Sequence, residues 1–256
     1  MNARIKLVSL ALITTFSLTQ CTLNNKKNTN ENVKISVTDT IKIEKFKNYY
    51  ASGNLKSEGQ LINKEKTGEW ISYYENGEQE SIRNYKNDLL DGYQKIDYSQ
   101  VLYMEGSYKE GIKIGEWKSY FKKNKKLKYL RHFDNKGRAT GEWKNYYDSG
   151  ELINIENYSN GSQNGKQVEY FKNGNISKVG EKQNGKENGV WKYYYDNGTL
   201  RCEREFKNGV DHGKYVEYFK NSKIYKIGAK QNFKKVGTWK TYDKQGDLVE
   251  TVSYNN

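Results

Sequence analysis

Eight glycines set the frame of this chain. Gly68, Gly92, Gly115, Gly141, Gly165, Gly189, Gly213 and Gly237 follow one another at spacings of 24, 23, 26, 24, 24, 24 and 24 residues. All five tryptophans lie two residues after one of them, as Trp70, Trp117, Trp143, Trp191 and Trp239. A period of 20–50 residues marks a repeat architecture, in which one small unit is copied and stacked. A partial unit from Tyr49-Tyr50 through Gly53 and Leu55 precedes the eight, so about nine units are predicted.

Within a unit, an aromatic run such as Trp143–Tyr147 reads as a strand. A turn follows, Asp148-Ser149-Gly150 here and Asn76-Gly77, Asn173-Gly174 or Asn197-Gly198 elsewhere. Asn-Gly tolerates positive φ at both places and predicts tight hairpins at these sites. A second strand opens on Leu152, Ile176, Leu200, Ile224 or Leu248 and closes near an aromatic such as Tyr85, Phe133, Tyr158 or Phe206. A second turn of Asn, Gly and Lys leads to the next anchor glycine. No helix-length stretch remains after the N-terminal segment. The fold class is therefore all-β: an elongated, single-layer, twisted antiparallel β-meander of about nine hairpin repeats. The 26-residue spacing predicts a local irregularity at Asp134–Thr140.

Composition suits a thin structure. Only 34% of residues are hydrophobic, yet 14% are aromatic, with 23 Tyr. A Tyr ring is buried while its hydroxyl stays wet. The side-chain period of two sorts each first strand into faces. Lys118, Lys144, Lys192 and Lys240 fall beside Tyr120, Tyr146, Tyr194 and Tyr242 on one face. The Trp row and a second aromatic (Tyr74, Phe121, Tyr147, Tyr195) fall on the other. Aliphatics look too few on either face to hold a second sheet. A longer rhythm of 48 residues links Gly165-Lys166-Gln167-Val168-Glu169-Tyr170-Phe171 to Gly213-Lys214-Tyr215-Val216-Glu217-Tyr218-Phe219, so units with and without Trp alternate towards the C-terminal end.

The unit G-x-W-x-x-Y-Y-x-x-G-x-L resembles the MORN repeat in its bacterial variant form, over residues 49–256. Whole chains of this kind look like the YwqK family of antitoxins and like bacterial MORN-repeat lipoproteins. The resemblance implies an extended antiparallel sheet with scaffolding, protein-binding or lipid-binding roles, and implies no catalysis. The unit at Gly92 departs from the pattern, with Tyr93 and Tyr98 in place of Trp and the double aromatic.

At the N-terminus, Arg4 and Lys6 precede an apolar run from Leu7 to Leu18, too short for an ordinary membrane span. Leu18-Thr19-Gln20-Cys21 resembles a bacterial lipoprotein signal, which implies removal of residues 1–20 and lipidation of Cys21. Plain signal cleavage and an uncleaved anchor are the other readings, and Gln20 departs from the small residue usual before the Cys. Residues 21–48 read as a polar tether, with one added strand between Val33 and Ile43 as an option. Residues 49–256 form the repeat domain. The expected location is the bacterial envelope, membrane-anchored by lipid.

The scan for chemistry is short. His132 and His212 stand in unrelated units and converge with no other ligand, so neither a metal site nor a triad is predicted. Gly161–Gln167 has the wrong spacing for a phosphate loop and no helix after it. Glu69, Glu116 and Glu142 form a spaced row, not a pair. Cys202 reads as a structural thiol. The expectation is a non-enzyme without cofactor. The formal net charge of +13 favours an anionic membrane, a glycan or an acidic protein, with nucleic acid disfavoured. Candidate binding rows are the five Trp together with the four Lys and four Tyr named above; the other reading of these aromatics is as ladders that hold adjacent strands together through cross-strand pairs. The leading function is a binding or scaffolding surface. The second is an antitoxin or immunity protein that sequesters a toxin.

Overall fold

The computed structural model describes residues 12–15, 41–98 and 102–255. Cys21 and residues 22–40 of the tether lie outside them. Every described element is a strand. The chain forms two compact units, Met1–Asp97 with Tyr108–Gly111, and Tyr98–Ser107 with Ile112–Asn256.

The first unit holds β1 (Leu12–Thr15), β2 (Lys42–Tyr49), β3 (Leu55–Ile62), β4 (Glu65–Tyr73), β5 (Gln79–Lys86) and β6, whose span is Leu89–Tyr98. Each pairs antiparallel with the next. The first repeat strand thus opens at Lys42, inside the stretch read as tether. The reason is visible in the register: Phe46 stands in the Trp position and pairs with Gly59, and Lys47 pairs with Glu58.

The second unit holds most of β7 (Leu102–Lys109), then β8 (Ile112–Phe121), β9 (Leu127–Phe133), β10 (Gly141–Tyr146), β11 (Leu152–Ser159) and β12 (Ser162–Tyr170). It continues through β13 (Ile176–Gln183), β14 (Lys186–Tyr194), β15 (Leu200–Lys207), β16 (Val210–Tyr218), β17 (Ile224–Gln231), β18 (Lys234–Tyr242) and β19 (Leu248–Tyr254). From β8 onward, sequence neighbours pair antiparallel, as a meander requires.

The two kinds of turn differ from the expectation. The two-residue turns with both φ positive lie between units, at Asn160-Gly161, Asn184-Gly185 and Asn208-Gly209, and also at Asn63-Lys64, Asn87-Asp88 and Asn232-Phe233. These are the type I′ geometry. Within units the loop is longer. Gly77 alone is at positive φ there, its N–H donates to the Tyr74 carbonyl, and the Asn76 side chain accepts from Glu78 N–H. Asn-Gly at this place closes a four-residue loop and not a two-residue one. All eight anchor glycines have positive φ. They sit where the strand register slips, as between Val179 and Glu181 opposite Gly189. Between Phe133 and Gly141 the predicted irregularity is a short loop tied by Asp134, whose carboxylate accepts from the backbone of Lys136 and Arg138 and from the Arg138 side chain.

The core is a thin one, built on both faces. On the first face, four tryptophans lie flat over glycines eleven residues earlier. A Cβ on Gly59, Gly106, Gly180 or Gly228 would lie 2.2–2.3 Å from the indole of Trp70, Trp117, Trp191 or Trp239. Only glycine permits that approach. Each of these indoles donates to the carbonyl after its glycine, Gln60, Ser107, Glu181 or Ala229, at 3.0–3.2 Å. An aromatic fifteen residues later meets the ring edge-on, as Tyr85, Phe206 and Tyr254 do at 6.3–6.4 Å. Units without Trp put Gln94, Gln167 or Tyr215 in its place, paired to Arg83, Glu156 and Arg204.

The second face carries only a single line of aliphatics, and the described strands form one sheet, as expected. Each strand gives one residue to a cross-strand row, Lys144-Ile155-Val168-Val179-Lys192-Glu203-Val216-Ile227-Lys240. The first unit repeats part of it as Lys47-Glu58-Ile71-Ile82-Lys95. One residue per strand is invisible in a composition count, but cross-strand pairing sums the row. Val168 and Val216 in it are buried.

Candidate binding surface

The predicted rows separate sharply by burial. Trp70, Trp117, Trp191 and Trp239 are 1–6% exposed. They are packing groups, not platforms open to a ligand. Trp143 is half-buried and has His132, not Gly, eleven residues before it. Its indole donates to the His132 carbonyl at 3.0 Å, one residue off the pattern. Phe133 and Tyr158 pack on it at 5.4 and 4.3 Å, and the Arg131 guanidinium lies 4.6 Å from its ring centre. Cations cover other indoles as well: Lys66, Lys113, Lys178 and Lys235 lie 4.4–4.8 Å from the rings of Trp70, Trp117, Trp191 and Trp239. Burial pushes the Lys113 ammonium and the Arg131 guanidinium below their ordinary ranges.

The same face carries a buried charge group that the residue pattern did not disclose. The Asp211 carboxylate is 1% exposed and accepts from Arg204 Nη2 at 2.5 Å and Lys230 Nζ at 2.8 Å. Burial raises this carboxyl, but the two cations overcome it and hold it below the usual carboxylate range. Nearby, burial pushes Tyr193 up to about 12 and raises Tyr215 and the buried Cys202 thiol.

The Lys–Tyr row stands on the second face and is the more accessible. Lys118 and Lys144 are half-buried, and Lys192 and Lys240 are exposed. Lys118 pairs with Glu116 at 2.6 Å, Lys144 with Glu142 at 3.0 Å and Lys192 with Glu203 at 3.3 Å. Tyr120, Tyr146, Tyr194 and Tyr242 are half-buried. The Tyr120 hydroxyl donates to Glu105 at 2.7 Å and its ring stacks on Tyr103 at 4.5 Å. Two shallow depressions flank Val190 and Lys192, of about 360 and 400 Å³, lined by Lys166, Glu181, Glu203, Glu205 and Lys214 among others. Charges of both signs line each.

The second aromatics do not join the Trp row. They stand at or just past the strand ends, and Tyr50, Tyr74 and Tyr195 each donate a hydroxyl to a carbonyl about one repeat later: Tyr73, Asp97 and Tyr218. Asparagines of the same loops do likewise, as Asn54 to Glu75, Asn173 to Asp196 and Asn221 to Lys244. His132 and His212 lie on β9 and β16 in separate hairpins. Among the described residues no group of three His, Cys, Asp or Glu is arranged to hold a metal ion, and no helix is long and apolar enough to cross a membrane.

Comparison with known proteins gives a repeat family. The model of the MORN repeat variant matches residues 45–63, 66–87, 139–160, 187–208 and 235–256. The last four matches each contain a Trp-bearing strand and the first contains Phe46. No curated protein matches. The solved structure titled "Crystal Structure of TcdB2-TccC3-Cdc42" aligns with 78% of this chain and 13% of its own, at 11% identity and a TM-score of 0.16. A likeness that low carries no argument. The repeats at these five places are MORN repeats of the variant type, a class that points to binding or scaffolding.

Proposed function

We propose that this chain is a non-catalytic envelope lipoprotein whose Lys–Tyr face is a binding or scaffolding surface for a protein, membrane or glycan partner. One observation carries the placement on that face: its Lys and Tyr are solvent-accessible while four of five Trp are closed off. The anchor rests on the basic start, the apolar run and Cys21. Processing before Cys21 would remove β1, which pairs with β2 from Leu12↔Lys45 to Thr15↔Lys42, and uncover the outer edge of β2. Palmitate incorporation that persists in Cys21→Ala would refute the anchor. For the surface, the full chain is used to capture partners from its own cells, beside a Tyr146→Ala/Tyr194→Ala/Lys192→Gln variant. Equal capture by both would remove the Lys–Tyr face from the reading. In the antitoxin reading the same surface sequesters a toxin. A captured protein whose expression is lethal without this chain and harmless with it would favour that reading.

A further inference from the structure

The net charge of the chain is not spread evenly. The second unit holds 29 Lys and Arg against 18 Asp and Glu, a formal +11, and the first holds 15 against 13, a formal +2. The densest basic stretch of the second unit is the β8–β9 turn, where Lys122, Lys123, Lys125, Lys126 and Lys128 fall within seven residues. Lysine runs of this kind draw polyanions by local potential.

The turn is built rather than loose. Phe121 N–H donates to the Lys126 carbonyl and Lys125 N–H to the Phe121 carbonyl, both at 2.9 Å. The Asn124 side chain accepts from Lys126 N–H at 3.0 Å and donates to the Asp148 carbonyl at 2.5 Å, which fixes the turn against the next hairpin. The ammonium groups are held by neutral partners. Lys125 lies 5.5 Å from the Tyr103 ring centre and Lys128 lies 5.6 Å from that of Phe121, and Lys126 donates to the Ser149 carbonyl. Among the described residues, Lys123, Lys125, Lys126 and Lys128 are in no ion pair. Their charge is therefore presented outward, unlike that of Lys118, Lys144 and Lys192.

Beside the turn is an open depression of about 530 Å³, lined by Lys126, Leu127, Tyr146, Ser149, Gly150 and Glu151. It combines an aromatic ring, a carboxylate acceptor and the basic turn. We infer that the β8–β9 turn and this depression bind an acidic polysaccharide, the lysines taking its carboxylate groups, Tyr146 a sugar face and Glu151 its hydroxyls. An apolar ring with a few placed polar groups suits a sugar. A carboxylate in the site suits a ligand rich in hydroxyl donors, which a bare phosphodiester chain lacks.

This inference rests on the binding-surface reading and locates it. The test uses the full chain in affinity electrophoresis with polygalacturonate, and with dextran, a single-stranded oligonucleotide and phosphatidylglycerol vesicles in parallel. Polygalacturonate is expected to bind, with affinity falling as salt is raised. Lys123→Gln/Lys125→Gln/Lys126→Gln is expected to weaken it at least tenfold and Tyr146→Ala several-fold. Lys207→Gln/Lys234→Gln/Lys244→Gln, of equal charge change, is expected to leave it within twofold. Equal losses from both triple variants, no binding of polygalacturonate, or stronger binding of the oligonucleotide or the vesicles would overturn the inference. Should polygalacturonate fail to bind while the full chain still captures partners from its own cells, the general binding reading stands and this one falls.

Discussion

Gly180→Ala is the most informative substitution that this architecture offers. A Cβ there would lie 2.2 Å from Trp191 Cδ2 and 2.5 Å from Cε2. The backbone at Gly180 is not at positive φ, so alanine itself is tolerated and the indole must move. The ring is 1% exposed, bonded to the Glu181 carbonyl at 3.1 Å and flanked by Phe206 and Lys178. Overpacking of this kind costs about 1–3 kcal/mol, and loss of the indole hydrogen bond about 1 kcal/mol more. The smaller unfolded-state entropy of alanine returns about 0.4–1 kcal/mol. A net destabilisation of roughly 1–3 kcal/mol is expected. The same change made in a Trp191→Ala background should be neutral or slightly stabilising, which gives a coupling of about 1–4 kcal/mol. Gly185→Ala serves as the reference. It lies at φ +80 with nothing within 4 Å, so its cost of roughly 1–2 kcal/mol is backbone strain and does not depend on Trp191. Urea midpoints by far-ultraviolet circular dichroism give the global change. Amide exchange across β13 and β14 gives the local one, which repeat arrays need because they do not unfold as one unit. If Gly180→Ala costs as much without Trp191 as with it, the account of the Trp rows is wrong.

Three further outcomes follow from the packing. Asp211→Asn leaves Arg204 and Lys230 without their shared counter-charge and should cost about 2–4 kcal/mol in urea unfolding. Because the folded carboxyl is depressed, its stabilisation is present above the ordinary carboxylate range and is lost as pH falls through the depressed value; that acid limb should flatten in Asp211→Asn. Trp143→Ala should cost less than Trp191→Ala, for which about 3–5 kcal/mol is expected, since Trp143 is half-buried and rests on no glycine. Iodoacetamide followed by peptide mapping should leave Cys202 unmodified in the native chain at pH 8 and modify it in urea, because its thiol is buried and raised.

The hairpin plan was legible because its signals are local. Glycines at fixed spacing, aromatic runs and Asn-containing turns each act within a few residues. The aromatic ladders were legible too, but the glycines beneath the Trp row were not, although they were in plain sight. Gly59, Gly106, Gly180 and Gly228 each stand eleven residues before a Trp, and His132 breaks the series at Trp143. That spacing has meaning only once two strands are laid side by side. The aliphatic row of Ile155, Val168, Val179, Val216 and Ile227 was missed for the same reason. The turns were interchanged because Asn-Gly occurs in both, and loop length, not dipeptide identity, decides between them. The Lys122–Lys128 turn was present as a charge run. That Lys123, Lys125, Lys126 and Lys128 stand in no ion pair among the described residues, unlike the Lys–Glu pairs of the neighbouring row, needed coordinates.

The alternation of Trp-over-Gly with Gln or Tyr beside Arg or Glu restricts how such a chain can change length. Removing Gly189–His212, one 24-residue unit, would join β13 to the rest of β16 and set Tyr215, in place of Trp191, over Gly180. Removing Gly165–His212, two units, would instead set Tyr215 in the place of Gln167, opposite Glu156, and would leave Trp70, Trp117 and Trp239 each over its own glycine. Unequal recombination in a gene for this protein is therefore expected to leave viable products in steps of two hairpins, so that the inherited module is twice the size of the visible repeat.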